Sequence, residues 1–412
     1  MKNDERRVAV TGLGLVTALG HSEPEVWSSL LAGRCPLRAL KNHDYAGNKV
    51  CSGGEIDLAE FEARVPATLR RADRTVRFAV EAARQAMTAA RCLPAEADKP
   101  EDIATIFGSG CGPTETLHAS HTRFAEKGPA GMRPSSVPNG MANAVSAALS
   151  IEFRLTGANY TVVSACTSAT NAIGIGFRMV REGHAAAVLC GGTDNSFDPF
   201  YYALWNNLGV FSPIADPQRA VRPFAADRAG TLLGEGAGAL VLESFASARR
   251  RGVRIRGEIV GYGESSDATH LTGPSATGQA AAIRAALRSA DVAPHEIGYI
   301  SAHGTGTDAN DLTEAQAIRI ALGDAADSAP VGATKSYFGH TLGASGAIET
   351  IGTLLALEHG VAPGNLNLEH PDPACPVSLV GAAPQPLTRG LALKNSFGFG
   401  GGNAVLVLRR YS

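Results

Sequence analysis

The sequence carries little charge and no long apolar run, and both absences exclude broad classes of function. Only 18% of its 412 residues are charged and the formal net charge is −2, so the chain lacks the basic balance of a general nucleic-acid binder. No apolar stretch approaches the roughly 20 residues that span a membrane. The charged start leads straight into Val8 without the apolar segment of a secretion signal, which predicts a cytoplasmic protein.

Several common site motifs are also missing. The seven cysteines lie at least 16 residues apart, so no CxxC pair predicts zinc binding or thiol exchange. We expect reduced thiols and no metal site. The sequence contains no G-x-S-x-G elbow, no H-E-x-x-H pair and no G-x-x-x-x-G-K-[ST] phosphate loop, which disfavours the hydrolases that use them.

Short β-branched segments alternate with alanine-rich helical patterns along the chain. This alternation predicts an α/β fold with strands covered on both faces. The helical pattern Ala169–Gly183 resembles the pattern Ala347–Gly360, and both end in a charged pair and glycine. We therefore expect two stacked α/β halves, residues 1–250 and 251–412. Residues 113–145 lack clear periodicity, and so long a connection is typical of a functional segment or an interface.

Cys166 is a candidate nucleophile because it follows the strand-like run Thr161–Ala165 and precedes a helix of small residues. At a helix N-terminus, free N–H groups and the helix dipole favour thiolate over thiol, which predicts a lowered pKa. The same N–H groups can hold an oxyanion. A buried structural cysteine is the alternative interpretation.

Two histidines end strand-like segments in glycine-rich turns. His303 is followed by alternating glycine and threonine, and Thr305 and Thr307 offer hydroxyls to an extended amide-containing arm. His340 follows Lys335 by five residues and precedes a helix. The acids Asp311 and Glu314, on the helix after Thr307, are interpreted as structural supports of the histidine loop, and a satisfied polar histidine stays the alternative for each imidazole.

The glycine-rich segment 395–403 is superficially similar to a dinucleotide fingerprint. A strand, not a helix, follows it, so the anion-binding helix terminus is absent. This argues against a nucleotide-dependent oxidoreductase and favours a backbone loop that faces the site.

Together these motifs resemble the elongating β-ketoacyl-acyl-carrier-protein synthases of the Cys-His-His class. The resemblance covers nearly the whole chain, in family order and spacing. It rests on the following segments: Ser164 to Ser168, Ala302 to Thr307, Lys335 to His340, Asn395 to Asn403, Val10 to Gly14, Arg222 to Arg228, Gly234 to Gly236 and Asp267 to Pro274.

The resemblance implies a thiolase-like fold of five layers, αβαβα, usually dimeric. It implies that Cys166 takes an acyl group from the phosphopantetheine arm of an acyl carrier protein, and that a malonyl thioester is then decarboxylated and condensed with it. No bound cofactor is expected beyond that arm. The implied roles are an oxyanion hole at Cys166 and Phe399, enolate stabilisation by His303 and His340, orientation by Lys335 with Glu349, and substrate binding by Thr305, Thr307, Thr272 and Asn403.

The carrier protein in such systems is acidic, and a basic cluster lies near the start of a predicted helix. Arg70, Arg71 and Arg74 resemble the docking region of the family. A solvated helix face is an equally good interpretation of the same residues.

Several positions depart from the family pattern. Cys111 and Ser136 stand where bulkier residues often border the acyl tunnel, Trp205 is unusual in a region commonly small, and Gly402 replaces a threonine. These departures favour a type II polyketide or aryl-polyene ketosynthase, as a homodimer or with a homologous chain-length subunit. Housekeeping fatty-acid elongation is the alternative. A non-catalytic partner subunit would usually lack Cys166, and coenzyme A-dependent relatives would replace His340.

Overall fold

The computed structural model describes residues 6–93 and 103–411. Strands β1 to β14 are, in chain order, Val8–Thr17, Arg38–Ala39, Ser52–Gly53, Ile103–Gly108, Asn159–Val162, Ala187–Asp194, Gly236–Ser244, Gly257–Ser266, Tyr299–Ser301, Val331–Gly332, Val361–Ala362, Gln385–Pro386, Leu391–Phe397 and Gly402–Arg409. Helices α1 to α14 are Glu23–Leu31, Leu58–Glu62, Arg74–Ala89, Thr114–Lys127, Ser136–Gly140, Ala144–Phe153, Ser168–Glu182, Pro199–Leu208, Pro217–Ala220, Phe245–Arg251, Ala276–Ala290, Asp308–Leu322, Lys335–Phe338 and Ser345–His359.

One ten-stranded sheet contains two matching sets of five strands, in the order β10-β9-β13-β14-β8-β1-β7-β6-β4-β5. From the centre outward, β1-β7-β6-β4-β5 and β8-β14-β13-β9-β10 have the same sequence of strand directions: two antiparallel pairings and then two parallel ones. The two sets meet where Val8–Val10 pairs with Gly257–Ile259. The chain therefore repeats one βα topology twice.

The helices form three layers around these strands. Helix α3 packs outside β1 and β7, α11 packs outside β8 and β14, and α7 and α14 lie between the two sets of strands and touch both. The outer helices approach closely because glycines face them: a Cβ on Gly14 would stand 1.9 Å from the Ala82 carbonyl oxygen, and one on Gly263 would stand 2.2 Å from the Ala286 nitrogen. The predicted five-layer αβαβα arrangement is confirmed.

The two central helices end alike. Helix α7 ends at Gly183 with φ 79° and α14 at Gly360 with φ 69°, the left-handed conformation that glycine adopts without penalty. The faint symmetry of the sequence thus corresponds to matching helices in the fold.

Residues 113–145 contain more regular structure than their sequence pattern indicates. They hold α4, α5 and the start of α6. Helix α4 buries only Thr114 among its own residues, so it has no apolar stripe for a periodicity argument to detect. In the part of the chain that the structure describes, no helix is long and apolar enough to cross a membrane.

Candidate active site

Cys166 lies on a sharp turn between β5 and α7. A single 3₁₀ turn, Ala165–Thr167, joins the strand to the helix, and Ala165 adopts φ 53°, a conformation that costs a non-glycine residue energy. Ser168 holds the turn, because its hydroxyl accepts from the Ser164 N–H at 2.9 Å and donates to the Ala165 carbonyl at 2.7 Å. The thiol is thereby presented at the N-terminus of a 15-residue helix, as the sequence predicts.

The structure brings the two histidines to this thiol from the second half of the chain. His340 Nε2 lies 3.1 Å from Cys166 Sγ, and the ring centroids of His303 and His340 are 5.2 Å apart at an interplanar angle of 84°. One ligand atom from each of the three side chains lies within 4.8 Å of the others. The residues that the sequence places 174 positions apart therefore form one reactive cluster.

Burial governs the protonation of this cluster. It lowers the pKa of His303 and His340 well below the usual value, and the Lys335 cation lowers both further. Both imidazoles are therefore neutral, with one N–H donor and one acceptor nitrogen each. Ser345 Oγ lies 3.0 Å from His340 Nδ1 and can donate to it or accept from it, so it can serve either tautomer.

The predicted lowering of the thiol pKa is wrong. Burial raises the pKa of the Cys166 thiol to about 11, although Lys335 and the Phe399 N–H act in the opposite direction. The effect of the helix terminus is smaller than the cost of placing a thiolate out of water. The resting group is a thiol, and His340 Nε2 is the base within reach of its proton.

Behind the imidazoles lies a buried carboxylate between two lysines. Lys335 Nζ contacts Glu349 Oε1 at 2.5 Å, the His303 carbonyl at 2.5 Å and His303 Nδ1 at 3.5 Å. Lys394 Nζ pairs with Glu349 Oε2 at 2.8 Å. All three side chains are buried, and burial lowers the pKa of Lys394. One indication of this buried charged group was visible in the sequence, a single lysine, Lys394, inside the apolar strand β13.

Two acids on α12 hold the histidine loop through its backbone. Glu314 accepts from the His303 and Gly304 N–H groups, each at 2.8 Å. Asp311 accepts from the Thr305 N–H at 3.0 Å and also binds the Gly306 N–H. Glycines 304 and 306 have φ 43° and 78°, so the loop needs both of these residues and the two acids to keep its shape. This geometry agrees with the structural role predicted for the acids.

The glycine-rich segment brings a second donor to the sulfur. The backbone N–H groups of Phe399 and of Cys166 itself act on the Cys166 thiol and lower its pKa, against the larger effect of burial. The backbone turns here through Gly400 and Gly401, with φ 82° and 77°. Two N–H groups aimed at one atom can hold the oxyanion that forms when a thioester is attacked there.

A cavity of about 280 Å³ leads to Cys166 and is lined by residues from both halves. The residues around it that the sequence singled out for binding are Thr272, Thr305, Thr307 and Asn403. Thr272 is exposed, whereas Asn403 is buried and donates to Asp267 Oδ1 at 2.7 Å. Trp205 and Phe399 complete the wall. A cavity of this form admits a narrow arm to the thiol.

Comparison with known proteins decides the family. Residues 5–248 match the β-ketoacyl synthase N-terminal domain, and residues 256–369 match the β-ketoacyl synthase C-terminal domain. The chain belongs to the β-ketoacyl synthase family. The resemblance drawn from the motifs is confirmed, and with it the class of enzyme, an acyltransferase-type condensing enzyme.

Individual relatives match this synthase over its whole length. The 3-oxoacyl-[acyl-carrier-protein] synthase 2 of Synechocystis sp. is 39% identical over 414 residues, which cover 99% of each chain. Among solved structures, the ishigamide ketosynthase/chain length factor superposes with a TM-score of 0.91 at 36% identity, covering 99% of this chain and 100% of that one. A type II PKS ketosynthase, bound to the hexaketide and in complex with its acyl-carrier protein, also gives 0.91, at 27% identity, with the same coverage.

Two predicted tunnel residues lie away from the cavity of the synthase. Cys111 Sγ contacts the Tyr201 hydroxyl at 2.5 Å and packs in the apolar cluster that contains Cys166. Ser136 begins α5 and does not line the cavity in the described residues. Their roles in substrate binding stay predictions.

The three arginines that the sequence predicted to dock a carrier protein lie in two different environments. Arg74 is buried, with Nη2 2.5 Å from Glu115 Oε1 and Nη1 3.7 Å from Glu235 Oε2, so the prediction that it binds a carrier protein is wrong. A helix start was correctly placed, but Arg74 points inward because two acids neutralise it there. Arg70 and Arg71 are exposed, and docking by them stays a prediction.

Asp194 is a site residue that sequence reasoning missed. At the end of β6 it accepts from the Ser109 hydroxyl at 2.7 Å, the Gly110 N–H at 2.9 Å and the Gly343 N–H at 2.6 Å. Burial raises the pKa of this carboxyl to about 6. It joins the loop before Cys111 to the turn after His340, so it ties the two halves together beside the thiol. An isolated aspartate at the end of a strand gave no signal of this role in the sequence.

Cys166, His303 and His340 are the group in residues 6–93 and 103–411 that offers a metal ion three ligand atoms. One sulfur and two nitrogens suit zinc. The resemblance assigns the same three side chains to thioester chemistry, which a bound metal would block. The absence of a resident metal stays a prediction.

Proposed function

We propose that this chain condenses an acyl group on Cys166 with malonyl-acyl carrier protein, releasing carbon dioxide and forming β-ketoacyl-acyl carrier protein. The observation that carries the proposal is a buried thiol, 3.1 Å from a neutral imidazole and faced by two backbone N–H groups, at the base of a cavity.

In the first half-reaction, His340 Nε2 takes the thiol proton as Cys166 Sγ attacks the thioester carbonyl. The backbone N–H groups of Cys166 and Phe399 bind the oxyanion of the tetrahedral intermediate. The carbon–sulfur bond to pantetheine then breaks, and the departing thiolate takes the proton from His340. Covalent capture of the acyl group divides one difficult reaction into two easier ones.

In the second half-reaction, the malonyl thioester loses carbon dioxide, and its electron pair becomes an enolate. His303 and His340 hold the enolate oxygen as neutral N–H donors; for His340 this is the tautomer with its proton on Nε2, in which Nδ1 accepts from the Ser345 hydroxyl. The enolate carbon attacks the acyl carbonyl on Cys166, and the carbon–sulfur bond breaks to release the longer β-keto product. The Cys166 thiolate that leaves takes a proton from water and returns to the resting thiol. Burial keeps both imidazoles unprotonated, and Lys335 and Lys394 act in the same direction.

The pantetheine arm enters through the cavity. The Thr305 and Thr307 hydroxyls, 2.8 Å apart, face it together, and Thr272 and Asn403 lie on its wall. The arm is delivered by the carrier protein, so no bound cofactor is required. The solved ketosynthase complex with an acyl-carrier protein supports this source.

A homologous chain is the proposed partner. Within residues 6–93 and 103–411, strand β5 is the last strand of the sheet, with one edge unpaired and Tyr160 exposed. Nearby, α4 and α5 expose Leu117 and Val137, at 51% and 68%. An open strand edge with apolar neighbours favours pairing with another chain. The ketosynthase/chain length factor relative supports a heterodimer, and a homodimer is the alternative.

We place the reaction in type II polyketide or aryl-polyene elongation. The polar contact of Cys111 with Tyr201, and Trp205 in the cavity wall, support substrates other than simple saturated chains. The relatives named 3-oxoacyl-[acyl-carrier-protein] synthase 2 support the alternative, housekeeping fatty-acid elongation. A cytoplasmic location and a boundary between halves near residue 250 are part of the same proposal.

The experiment incubates the purified chain with acyl- and malonyl-carrier proteins and follows the product by mass spectrometry. We expect a β-ketoacyl-carrier protein longer by two carbons, absent with Cys166→Ser. Absence of condensation with every acyl donor, alone and with a co-encoded homologue, would contradict the proposal. A fully active homodimer that prefers saturated acyl chains would instead assign the enzyme to fatty-acid elongation.

A further inference from the structure

Lys394 lies inside strand β13, and its side chain is fully buried. Its ammonium group pairs with Glu349 Oε2 at 2.8 Å, donates to the Ser396 hydroxyl at 3.1 Å and donates to the Asn395 carbonyl. An ammonium group has three N–H donors, so each of them has an acceptor here. A buried ion pair seldom stabilises a protein more than apolar side chains of similar volume would. The stability of the core alone therefore gives little reason for a lysine at this position.

Glu349 lies between Lys394 and the histidines. Its Oε1 accepts from Lys335 Nζ at 2.5 Å, and its Oε2 faces Lys394. Lys335 Nζ also donates to the His303 carbonyl at 2.5 Å and lies 3.5 Å from His303 Nδ1. The terminal torsion of a glutamate is broad, so a cation on each oxygen fixes the carboxylate better than one cation alone. The positions of Lys335 and His303 therefore depend on Lys394.

Strand β13 also connects Lys394 to the helix that follows the nucleophile. Alternate side chains of a strand point to the same face, which places Ser396 beside Lys394. Ser396 Oγ accepts from Lys394 Nζ and lies 2.7 Å from Thr170 Oγ1, on the first turn of α7. The turn that holds Cys166 leads directly into this helix. A continuous line of contacts therefore joins His303 in the second half of the chain to the elbow of the thiol in the first half.

We propose that Lys394 is a positioning residue of the condensation step: acting through Glu349, it holds His303 beside the thiol at the place where the enolate oxygen binds. Transfer of the acyl group to the thiol uses His340 and backbone N–H groups, whereas the enolate needs both imidazoles. Loss of Lys394 should therefore slow condensation more than acylation. This inference rests on the proposed function.

The test compares the two half-reactions in variants of Lys394. Lys394→Met keeps the length of the side chain and removes its donors, whereas Lys394→Gln keeps N–H donors on a shorter side chain. Leu406→Ala is the matched control, because Leu406 is buried directly opposite Lys394 on β14 and does not contact Glu349 through a polar group. Intact mass follows acylation, and single-turnover reaction of the pre-acylated enzyme with malonyl-carrier protein follows condensation. Thermal unfolding checks that each variant is folded.

We expect Lys394→Met to lower the rate of condensation by about tenfold, because a misplaced imidazole binds the enolate poorly. The rate of acylation and the KM for malonyl-carrier protein should each change by less than about twofold. Lys394→Gln should recover part of the lost rate. In Leu406→Ala the ratio of the two rates should equal that of the parent chain, although the variant unfolds at a lower temperature.

A double-mutant cycle tests whether Lys394 acts through Glu349. If it does, adding Lys394→Met to Glu349→Gln should cost much less than about tenfold, because the contact that Lys394 fixes is already lost. Losses that multiply in the double variant would show that Lys394 does not act through this carboxylate, and would overturn the inference.

The outcomes separate this inference from the proposed function. If the parent chain never condenses, the proposed function fails. If the parent condenses but folded Lys394→Met keeps the parent ratio of condensation to acylation, Lys394 has no positioning role and the inference is overturned. If Lys394→Met does not fold, Ser396→Ala decides, since it removes an uncharged partner of the same ammonium group. We expect it to slow condensation by about threefold and to leave acylation unchanged; equal effects on both steps would overturn the inference.

Discussion

The turn that carries the nucleophile has a counterpart in the other half of the molecule. Ala165–Thr167 precedes α7, and Leu342–Ala344 precedes α14; each is a single 3₁₀ turn that leads into a 15-residue helix beginning with serine. The first residue of each turn has a strained positive φ, 53° in Ala165 and 48° in Leu342. The repeat therefore built the same strained elbow twice.

The two elbows differ at their second residue. In the first half it is Cys166, and in the second it is Gly343. A Cβ on Gly343 would stand 2.2 Å from the Gly110 nitrogen, so no side chain fits there. The Gly343 N–H instead binds Asp194 at 2.6 Å, and Ser345, which follows this elbow, contacts His340. One elbow presents a nucleophile, and the other supports the imidazole that faces it.

The largest effect should come from removing the thiol of the first elbow. We expect Cys166→Ser to abolish acylation, a loss of at least about 1,000-fold, because a hydroxyl in this site is a far weaker nucleophile. Mass spectrometry of the acyl-enzyme measures it. Cys190→Ser, at another buried cysteine, should still acylate once folded. If Cys166→Ser acylated as fast as the parent chain, Cys166 would not be the nucleophile.

Next comes the imidazole that the second elbow supports. We expect His340→Ala to slow condensation by about 100- to 1,000-fold, the usual effect of losing one donor to a developing oxyanion. Ser345→Ala should have a smaller effect, since it removes only the Nδ1 partner. Steady-state kinetics with malonyl-carrier protein distinguishes them, and a larger loss from Ser345→Ala would refute this order.

The packing of the second elbow gives a stability prediction. Gly343→Ala should lower the free energy of unfolding by about 1–3 kcal/mol or more, because its Cβ overlaps the Gly110 backbone. The control is Gly352→Ala inside α14, where no atom lies within 4 Å of the added carbon; it should be neutral or stabilising by up to about 1 kcal/mol. Equal unfolding midpoints in denaturant for both variants would contradict the tight fit.

The smallest effect is a pH dependence of stability. Both histidines have a depressed pKa in the folded state, so below the ordinary pKa of about 6.5 the unfolded chain binds protons that the folded chain excludes. The contribution of the histidines to stability should therefore fall as the pH decreases below about 6.5, by up to about 1.4 kcal/mol per pH unit for each histidine. Asp194, whose pKa is raised to about 6, acts in the opposite direction. Denaturant unfolding at several pH values measures this slope, and replacing both histidines by asparagine should flatten it.

The sequence was sufficient to predict those parts of the fold and site that depend on a local residue pattern. Cys166 at a strand-to-helix turn, His303 and His340 in glycine-rich turns, and the acids on α12 all have signals within a few residues. The α/β class and the two-fold repeat follow from alternation of the same kind. The assignment to a family came from motifs spread over nearly the whole chain.

What the sequence could not give depends on distant contacts. Lys394 and Asp194 matter because of partners more than 40 residues away, Glu349 in one case and Gly343 in the other. Arg74 resembles a surface charge until Glu115 and Glu235 are placed beside it. The predicted direction of the Cys166 pKa shift was wrong for the same reason. The sequence indicates a helix terminus, which lowers the pKa, but it does not show the depth of burial, which raises the pKa by more.

The most direct test of the account maps the site of acylation. The chain is incubated with an acyl-carrier protein, digested and analysed by tandem mass spectrometry. We expect the acyl group on Cys166 and on no other cysteine, and slower acylation in His340→Ala, which lacks the base for the thiol proton. Acyl label on Cys111 or another thiol, with Cys166 unmodified, would show that the elbow of the first half does not carry the nucleophile.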